Sequence, residues 1–390
     1  MVSDNGALKA ADGVLPLLRK QAAQVDSSAA FPEAGMGALA GSGLFGLLIP
    51  TSHGGMGRDL RDLVDVAQVL AGGCLSTAMI WAMHCQQTDV LVRFAPASLL
   101  DRLLPRIARG DVYVASVTTE HGTGGHLLTG VAPLRQADTG LRLDREAPVV
   151  TGGEYAQGFL ITMRSSEDSS QHRVSLVYAD RDQLEIEPRG GWDTLGMRGT
   201  RSVGLKLSGV VPESQLVGEP GGFRSIAVES MAPVGHLAWA ACWLGAARAA
   251  LADLVGLFHS GDRPRGANVA SELTAERLAR IRMELELVGA YLHRVRDEVV
   301  ALRSEGGTLS ATPTQIHLNT LKVAAAELTY SAVDRMVQLA GVSVGYRRGA
   351  AIPLERHLRD LRSASLNYSN DRLLTANGAL TLLDRTVRLA

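Results

Sequence analysis

Val112-Tyr113-Val114-Ala115-Ser116-Val117-Thr118-Thr119-Glu120-His121-Gly122 is where the chain changes character. Upstream, apolar residues return every three or four positions, the spacing of helices buried along one face. Within the stretch, β-branched residues crowd together and then stop at polar residues and a glycine, the pattern of a strand that ends in a turn.

Working outward, helices are predicted over 14–24, 36–43, 60–71, 77–92 and 97–108, punctuated by Pro32, Pro50 and Gly54-Gly55-Met56-Gly57. Downstream, short alternating or β-branched runs at 131–135, 141–144, 149–151, 159–163, 174–178 and 202–207 predict a mostly antiparallel β unit. After Gly221-Gly222 long amphipathic segments return at 225–259, 273–305, 313–339 and 366–388, lengths suited to a helical bundle. The expected class is therefore α+β, mostly α, with a helical domain over 1–112, a β domain over 113–222 and a four-helix bundle over 223–390. Helices, then a β module, then a bundle is an uncommon order, and it narrows the fold more than any single residue.

Composition sets outer limits. The chain has 390 residues, 46% apolar and 20% charged, which is ordinary for a folded enzyme. Basic and acidic residues number 39 and 40, so no global field draws nucleic acid or an anionic membrane. Only four of the basic residues are lysines (Lys9, Lys20, Lys206, Lys322), the rest being arginine, the residue best shaped to clamp phosphate. Cys74, Cys85 and Cys242 form no CxxC pair and read as buried thiols, so neither disulfides nor metal ligands are expected. With no secretory pattern and no long apolar run, a cytoplasmic location is expected.

Three ordered regions carry a family resemblance. Gly43-Leu44-Phe45-Gly46-Leu47-Leu48-Ile49-Pro50 with His53-Gly54-Gly55-Met56-Gly57, then Val117-Thr118-Thr119-Glu120-His121-Gly122-Thr123-Gly124-Gly125 and Trp192-Asp193-Thr194-Leu195-Gly196-Met197-Arg198-Gly199-Thr200-Arg201-Ser202, and finally Pro353-Leu354-Glu355-Arg356-His357-Leu358-Arg359-Asp360-Leu361-Arg362 are similar to segments of the acyl-CoA dehydrogenase flavoproteins. The resemblance implies bound FAD, whose N5 and pyrimidine edge need hydrogen-bond partners because hydride and negative charge arrive there. It assigns Thr119 and backbone groups around Val117 to the pyrimidine edge and Thr151 to N5. Val149 stands where many relatives pack an aromatic residue on the ring, which leaves room there.

For the cofactor tail, the resemblance points to Arg263 or Arg265 as a pyrophosphate clamp and to Gln338-Leu339-Ala340-Gly341-Val342 on the adenine side, across a subunit interface. A homodimer or homotetramer is expected on that ground. The family usually has Ser at Gly125, where it meets the substrate arm, and Asp at His126; this chain has neither.

The position that usually holds the catalytic Glu falls on Tyr368, and the alternative position on an earlier helix falls on Gly235, beside His236. A phenol with a pKa near 10 is a poor base at neutral pH, so His236 and Asp371, three residues after Tyr368, join it as candidates for proton transfer. His84, mid-helix, is a candidate pocket residue. The leading expectation is an FAD-dependent oxidoreductase that oxidises an acyl-CoA or carrier-protein-bound acyl thioester with a displaced base. The alternative is a monooxygenase that uses reduced flavin from a partner reductase and O₂ to hydroxylate carbon, nitrogen or sulfur. A third reading is an assembly subunit without chemistry.

Overall fold

The computed structural model describes residues 6–122, 126–260 and 268–390. Five helices come first: α1 (Gly6–Ser28), α2 (Glu33–Gly41), α3 (Leu60–Ala71), α4 (Leu75–Phe94) and α5 (Ala97–Ala108). In α1 the buried residues Ala7, Ala11, Val14, Leu18, Ala22 and Val25 fall on one stripe. The α3 helix starts at Asp59, whose carboxylate accepts the Arg61 N–H at 2.7 Å and satisfies one of the unpaired donors of the first turn. By contrast α4 is buried on nearly every side, which makes it a core helix.

Two four-stranded sheets follow, one ordered β1-β4-β5-β8 and the other β2-β3-β7-β6. Their strands are β1 (Val114–Val117), β2 (Arg135–Ala137), β3 (Gly140–Ala147), β4 (Gly158–Arg164), β5 (Val174–Asp180), β6 (Leu184–Arg189), β7 (Gly204–Val211) and β8 (Leu216–Val217). Every pairing is antiparallel except β1 with β4, which run parallel.

Two local expectations change here. Residues 149–151 are not a strand: Pro148 precedes them and Gly152 turns left-handed at φ 59, while Val150 and Gly152 donate to the carbonyls of Val203 and Thr200. Strand β6 escaped notice because it is a mostly exposed edge strand that carries Pro188.

The chain then returns to helix with α6 (Phe223–Ile226), a π turn (Ala227–Met231), α7 (Ala232–His259), α8 (Glu272–Ser304), α9 (Thr312–Gly341), α10 (Leu354–Arg362) and α11 (Asn370–Thr381). The apolar span Phe223–His259 is long enough to cross a bilayer, yet α7 is buried through Pro233 to Ala247 and serves as the bundle's core. Gly245 lets α7 close on α3, since a Cβ there would sit 2.3 Å from the Gln68 carbonyl oxygen.

The expected helix over 366–388 is shorter at both ends: the chain leaves helix after α10, turns through 363–369, and α11 runs only over Asn370–Thr381. Tyr368, at φ 55, is in the left-handed region, so Tyr368 and Asp371 do not share a helical face.

Candidate functional site

A cavity of about 540 Å³ opens where the helical and β parts meet. That is a usual size for a small-molecule or cofactor site. One wall is Met79 and Met83 of α4 with Trp243 of α7; another is Thr119, Val149 and Thr151; a third is the loop from Trp192 to Ser202; the last is α10 with the turn that carries Ser363, Leu366, Asn367 and Tyr368.

The walls are held by long-range polar ties. Glu120 accepts the N–H groups of Val131 and Ala132, each at 2.8 Å, and its Oε1 meets buried Arg145 at 2.6 Å, while Arg145 also donates to the Thr119 carbonyl at 2.8 Å. Burial lowers the Arg145 pKa to about 10 against the pull of Glu120, so this pair fixes the loop and is not available to a substrate. Arg359 grips both carboxylate oxygens of Asp26, at 2.8 and 2.6 Å, and Glu355 at 2.7 Å. Gly196 must lack a side chain because a Cβ would stand 2.1 Å from the Arg359 carbonyl oxygen.

Strain gathers at the cavity. Of five non-glycine residues with positive φ among those described, Met197 (55°) and Tyr368 (55°) line it, and Arg201 (43°) lies between the lining residues Thr200 and Ser202. Such conformations persist where surrounding structure enforces them, most often at functional sites.

A chain of hydroxyls sets the polarity of one wall. Thr200 Oγ1 donates to the Met197 carbonyl at 2.8 Å, Ser202 Oγ donates to Thr200 Oγ1 at 2.9 Å, and Thr151 Oγ1 lies 3.0 Å from Ser202 Oγ. Each hydroxyl has one proton, and those of Thr200 and Ser202 are committed in sequence, so Thr151 must donate to Ser202. Thr151 is thereby left with lone pairs only for a bound ligand.

The residues singled out from the sequence separate into distinct groups. Thr119, Val149, Thr151 and Tyr368 converge on the cavity. The Thr119 hydroxyl, however, donates to the Val149 carbonyl at 2.8 Å and accepts the Val149 N–H, so it is not a free donor for a ring edge. Val117 is fully buried in β1 and does not line the cavity. His84 is a core residue: its Nδ1 accepts the Val114 N–H at 3.1 Å, its Nε2 faces the Phe45 carbonyl at 3.2 Å, and burial lowers its pKa to about 4.

His236 lies behind the wall, its ring 5.9 Å from that of Tyr368, and burial with nearby Lys322 lowers its pKa to about 3. It does not line the cavity and is a poor proton acceptor at neutral pH. Asp371 is exposed in the first turn of α11, outside the lining. Gln338 is exposed and donates to Asp334 at 2.6 Å, and Gly341 is exposed at φ 70; neither borders the cavity. Gly125, Arg263 and Arg265 lie outside the described residues.

The sequence reading missed Met79, Met83, Trp243 and Arg362 as lining residues, because helix positions reveal a shared wall only after packing. Ser202 was within a quoted segment but had been given no role.

Among the described residues, no Asp, Glu or His lines the cavity. Burial raises the Tyr368 phenol pKa above its usual value near 10, so it stays neutral at physiological pH. A flavin ring fits what remains: the volume suffices, apolar walls flank it, Thr151 presents lone pairs, and the lining residue Trp243 has a buried indole N–H without a partner.

The N-terminal domain of acyl-CoA dehydrogenases matches residues 14–111 and the C-terminal domain of acyl-CoA dehydrogenases matches residues 237–369, together more than half of the chain. The chain belongs to the acyl-CoA dehydrogenase superfamily. Within it, L-evernosamine nitrososynthase of a Micromonospora species is 29% identical over 90% of this chain and 83% of its own length. Benzylmalonyl-CoA dehydrogenase of Aromatoleum aromaticum is 24% identical over 91% and 90%. The FMN-bound structure of TdsC, a dibenzothiophene monooxygenase of a Paenibacillus species, superposes with a TM-score of 0.86 at 21% identity, covering 97% of this chain and 98% of that one. The protein is thus a flavin-dependent oxidoreductase of this superfamily, whose members include both dehydrogenases and monooxygenases.

Proposed function

We propose that the protein is a flavin-dependent monooxygenase. The carrying observation is the cavity wall: no described lining residue is a carboxylate, and the lining residue Tyr368 takes the position that the family resemblance gives to the base. Removal of an acyl α-proton needs a base poised near neutral pH within reach of that carbon. Carboxylates in the quoted motifs have other duties, Glu120 with Arg145, Asp193 with Arg198 and Asp360 with the Met197 N–H. The thioester-oxidation reading shares the fold and several relatives, but it lacks this group.

Reduced flavin supplies two electrons and activates O₂, so that one oxygen atom enters the substrate and the other leaves as water. The protein's part is placement and exclusion of water. Met79, Met83 and Trp243 give an apolar wall, Thr151 orients the ring edge through its lone pairs, and Tyr368 closes the side toward His236. Nitrogen is the reacting atom favoured by the resemblance to a nitrososynthase.

FAD is retained as the flavin, with Gln338 and Gly341 meeting it from a second copy of the chain and Arg263 and Arg265, outside the described residues, assigned to its pyrophosphate by resemblance. A cytoplasmic homo-oligomer served by a flavin-reductase partner completes the reading. Exposed Leu374, Leu382, Leu383 and Leu389 near the C-terminal end support burial against another copy.

The test has two arms. Anaerobic oxidised holoenzyme mixed with a panel of acyl-CoA and carrier-bound thioesters should keep its flavin absorbance. Reduced flavin, ¹⁸O₂ and a panel of amines, thioethers and phenols should yield a product with one labelled oxygen. Bleaching by a thioester without label incorporation in the second arm would overturn the proposal.

A further inference from the structure

The turn that carries Leu366, Asn367 and Tyr368 into the cavity wall has no regular secondary structure, and Tyr368 is in a disfavoured backbone conformation. Something must hold it. Beneath it lies Lys322 of α9, fully buried, with Nζ 2.9 Å from the Ala364 carbonyl oxygen, 2.8 Å from the Tyr368 carbonyl oxygen and 2.8 Å from Asn370 Oδ1. The same ammonium sits 5.6 Å from the centre of the ring of Trp243, another lining residue.

We propose that Lys322 is the positioning residue of the cavity: its ammonium gathers three oxygens of the 364–370 segment, and deprotonation loosens that grip and with it the placement of Tyr368. The stoichiometry argues for it. An ammonium has three protons and here meets three acceptors, one for each. A neutral amine has two protons, so one acceptor loses its donor and faces a lone pair. Hydrogen bonds from charged donors are the stronger kind. The turn's backbone hydrogen bonds are local, such as those of the Leu366 and Asn367 N–H groups to the Ser363 carbonyl and of the Asn370 N–H to that of Ser365, so Lys322 is what ties the turn to α9.

The surroundings set where the proton leaves. Burial lowers the Lys322 pKa to about 7, and Glu327 on the same helix opposes that shift. Glu327 also accepts from Asn370 Nδ2 at 3.2 Å, so it steadies the third acceptor. From α7, His236 faces the lysine and stays neutral, its own pKa lowered partly by that charge. From the turn and α11, the neighbouring titratable and charged groups are Tyr368, held neutral by burial, and Arg372 beside it. Loss of the proton therefore falls in the neutral range, where a cell's pH varies.

The inference concerns the turn itself, and only its consequence for cofactor binding rests on the flavin reading. Hydrogen exchange of peptides covering 363–370, followed by mass spectrometry from pH 6 to 8.5 and corrected for intrinsic rates, reads the turn in the protein without added ligand. Protection should fall about tenfold across a midpoint near neutrality, the change expected from one charge-assisted hydrogen bond, while peptides from α4 stay constant. In Lys322→Met protection should be low and insensitive to pH. In Asn370→Asp the midpoint should move upward, because a carboxylate beside Nζ favours the ammonium.

A folded Lys322→Met with wild-type, pH-dependent protection overturns the proposal. If that variant does not fold, an unshifted midpoint in Asn370→Asp overturns it equally. Titration of FAD over the same pH range should show affinity falling with the same midpoint. Failure of FAD to bind at any pH, with the exchange profile intact, would refute the flavin reading and leave Lys322 in its role.

Discussion

The carboxylate of Asp360 accepts the backbone N–H of Met197 at 2.6 Å, joining residues 163 positions apart at the seam between α10 and the β domain. Burial raises the Asp360 pKa to about 6, against the opposing pull of that N–H and of Arg356 and Arg359. A carboxyl whose folded pKa exceeds its unfolded value stabilises the fold while protonated and loses that contribution as pH rises through the folded value. The stability difference between wild type and Asp360→Asn should therefore shrink by about 1 kcal/mol from pH 5 to pH 7, then stay level. Urea denaturation at several pH values measures it, and a difference that grows over that interval would contradict the assignment.

Three buried histidines act with the opposite sign. Burial lowers the pKa of His84 to about 4 and those of His236 and His357 to about 3. Between an unfolded value near 6.5 and these folded values the unfolded chain binds the protons first, so stability is lost as pH falls. By pH 4.5 the three together remove on the order of 8 kcal/mol, comparable to the whole stability of a typical protein. Far-ultraviolet circular dichroism should show unfolding near that pH. A fold that persists to pH 3.5 would show that these rings are better solvated than their burial implies.

The order of helical, β and helical parts was legible because it depends on local periodicity, and the quoted segments at 117–122, 192–202 and 353–362 contribute residues to the cavity wall, whereas that at 43–57 does not. His84 illustrates what local pattern cannot supply. A histidine on an apolar helix reads alike whether it faces a ligand or bridges the Phe45 carbonyl and the Val114 N–H, and only packing distinguishes the two. The break before α11 is hidden for a similar reason: Lys322, whose ammonium meets the turn, lies more than forty positions away in sequence. The assignment of Val117 rests on the resemblance and that of Asp371 on helical spacing from Tyr368; burial of Val117 in β1 and the left-handed Tyr368 put both away from the cavity.

The hydroxyl chain from Thr151 through Ser202 to Thr200 makes the flavin's redox preference measurable. With Thr151 able only to accept, a ring that bears a proton at the contacted nitrogen is favoured over one that does not. Ser202→Ala frees the Thr151 proton to donate, which favours the oxidised ring. The reduction potential of bound flavin should fall by about 30 mV, the equivalent of roughly 1.4 kcal/mol for two electrons. Spectroelectrochemical titration of both proteins decides it, and an unchanged or higher potential would mean that Thr151 does not meet the ring.

Tyr368 gives the sharpest separation between wall and acid–base group. Its phenol is neutral at physiological pH because burial raises its pKa, and the neighbouring His236 ring is neutral because burial lowers its own. Neither is poised to take a proton near pH 7, so Tyr368→Phe, which keeps the ring and the left-handed turn, should lower turnover by less than about tenfold, the worth of one hydrogen bond. Steady-state turnover with reduced flavin and O₂ is the measurement, with visible circular dichroism of the bound flavin as a check on the wall. A loss beyond about a hundredfold with an unaltered flavin spectrum is the size expected for removal of a general acid or base. That result would return the phenol to the chemistry and require a substrate charge strong enough to pull its proton into the working range.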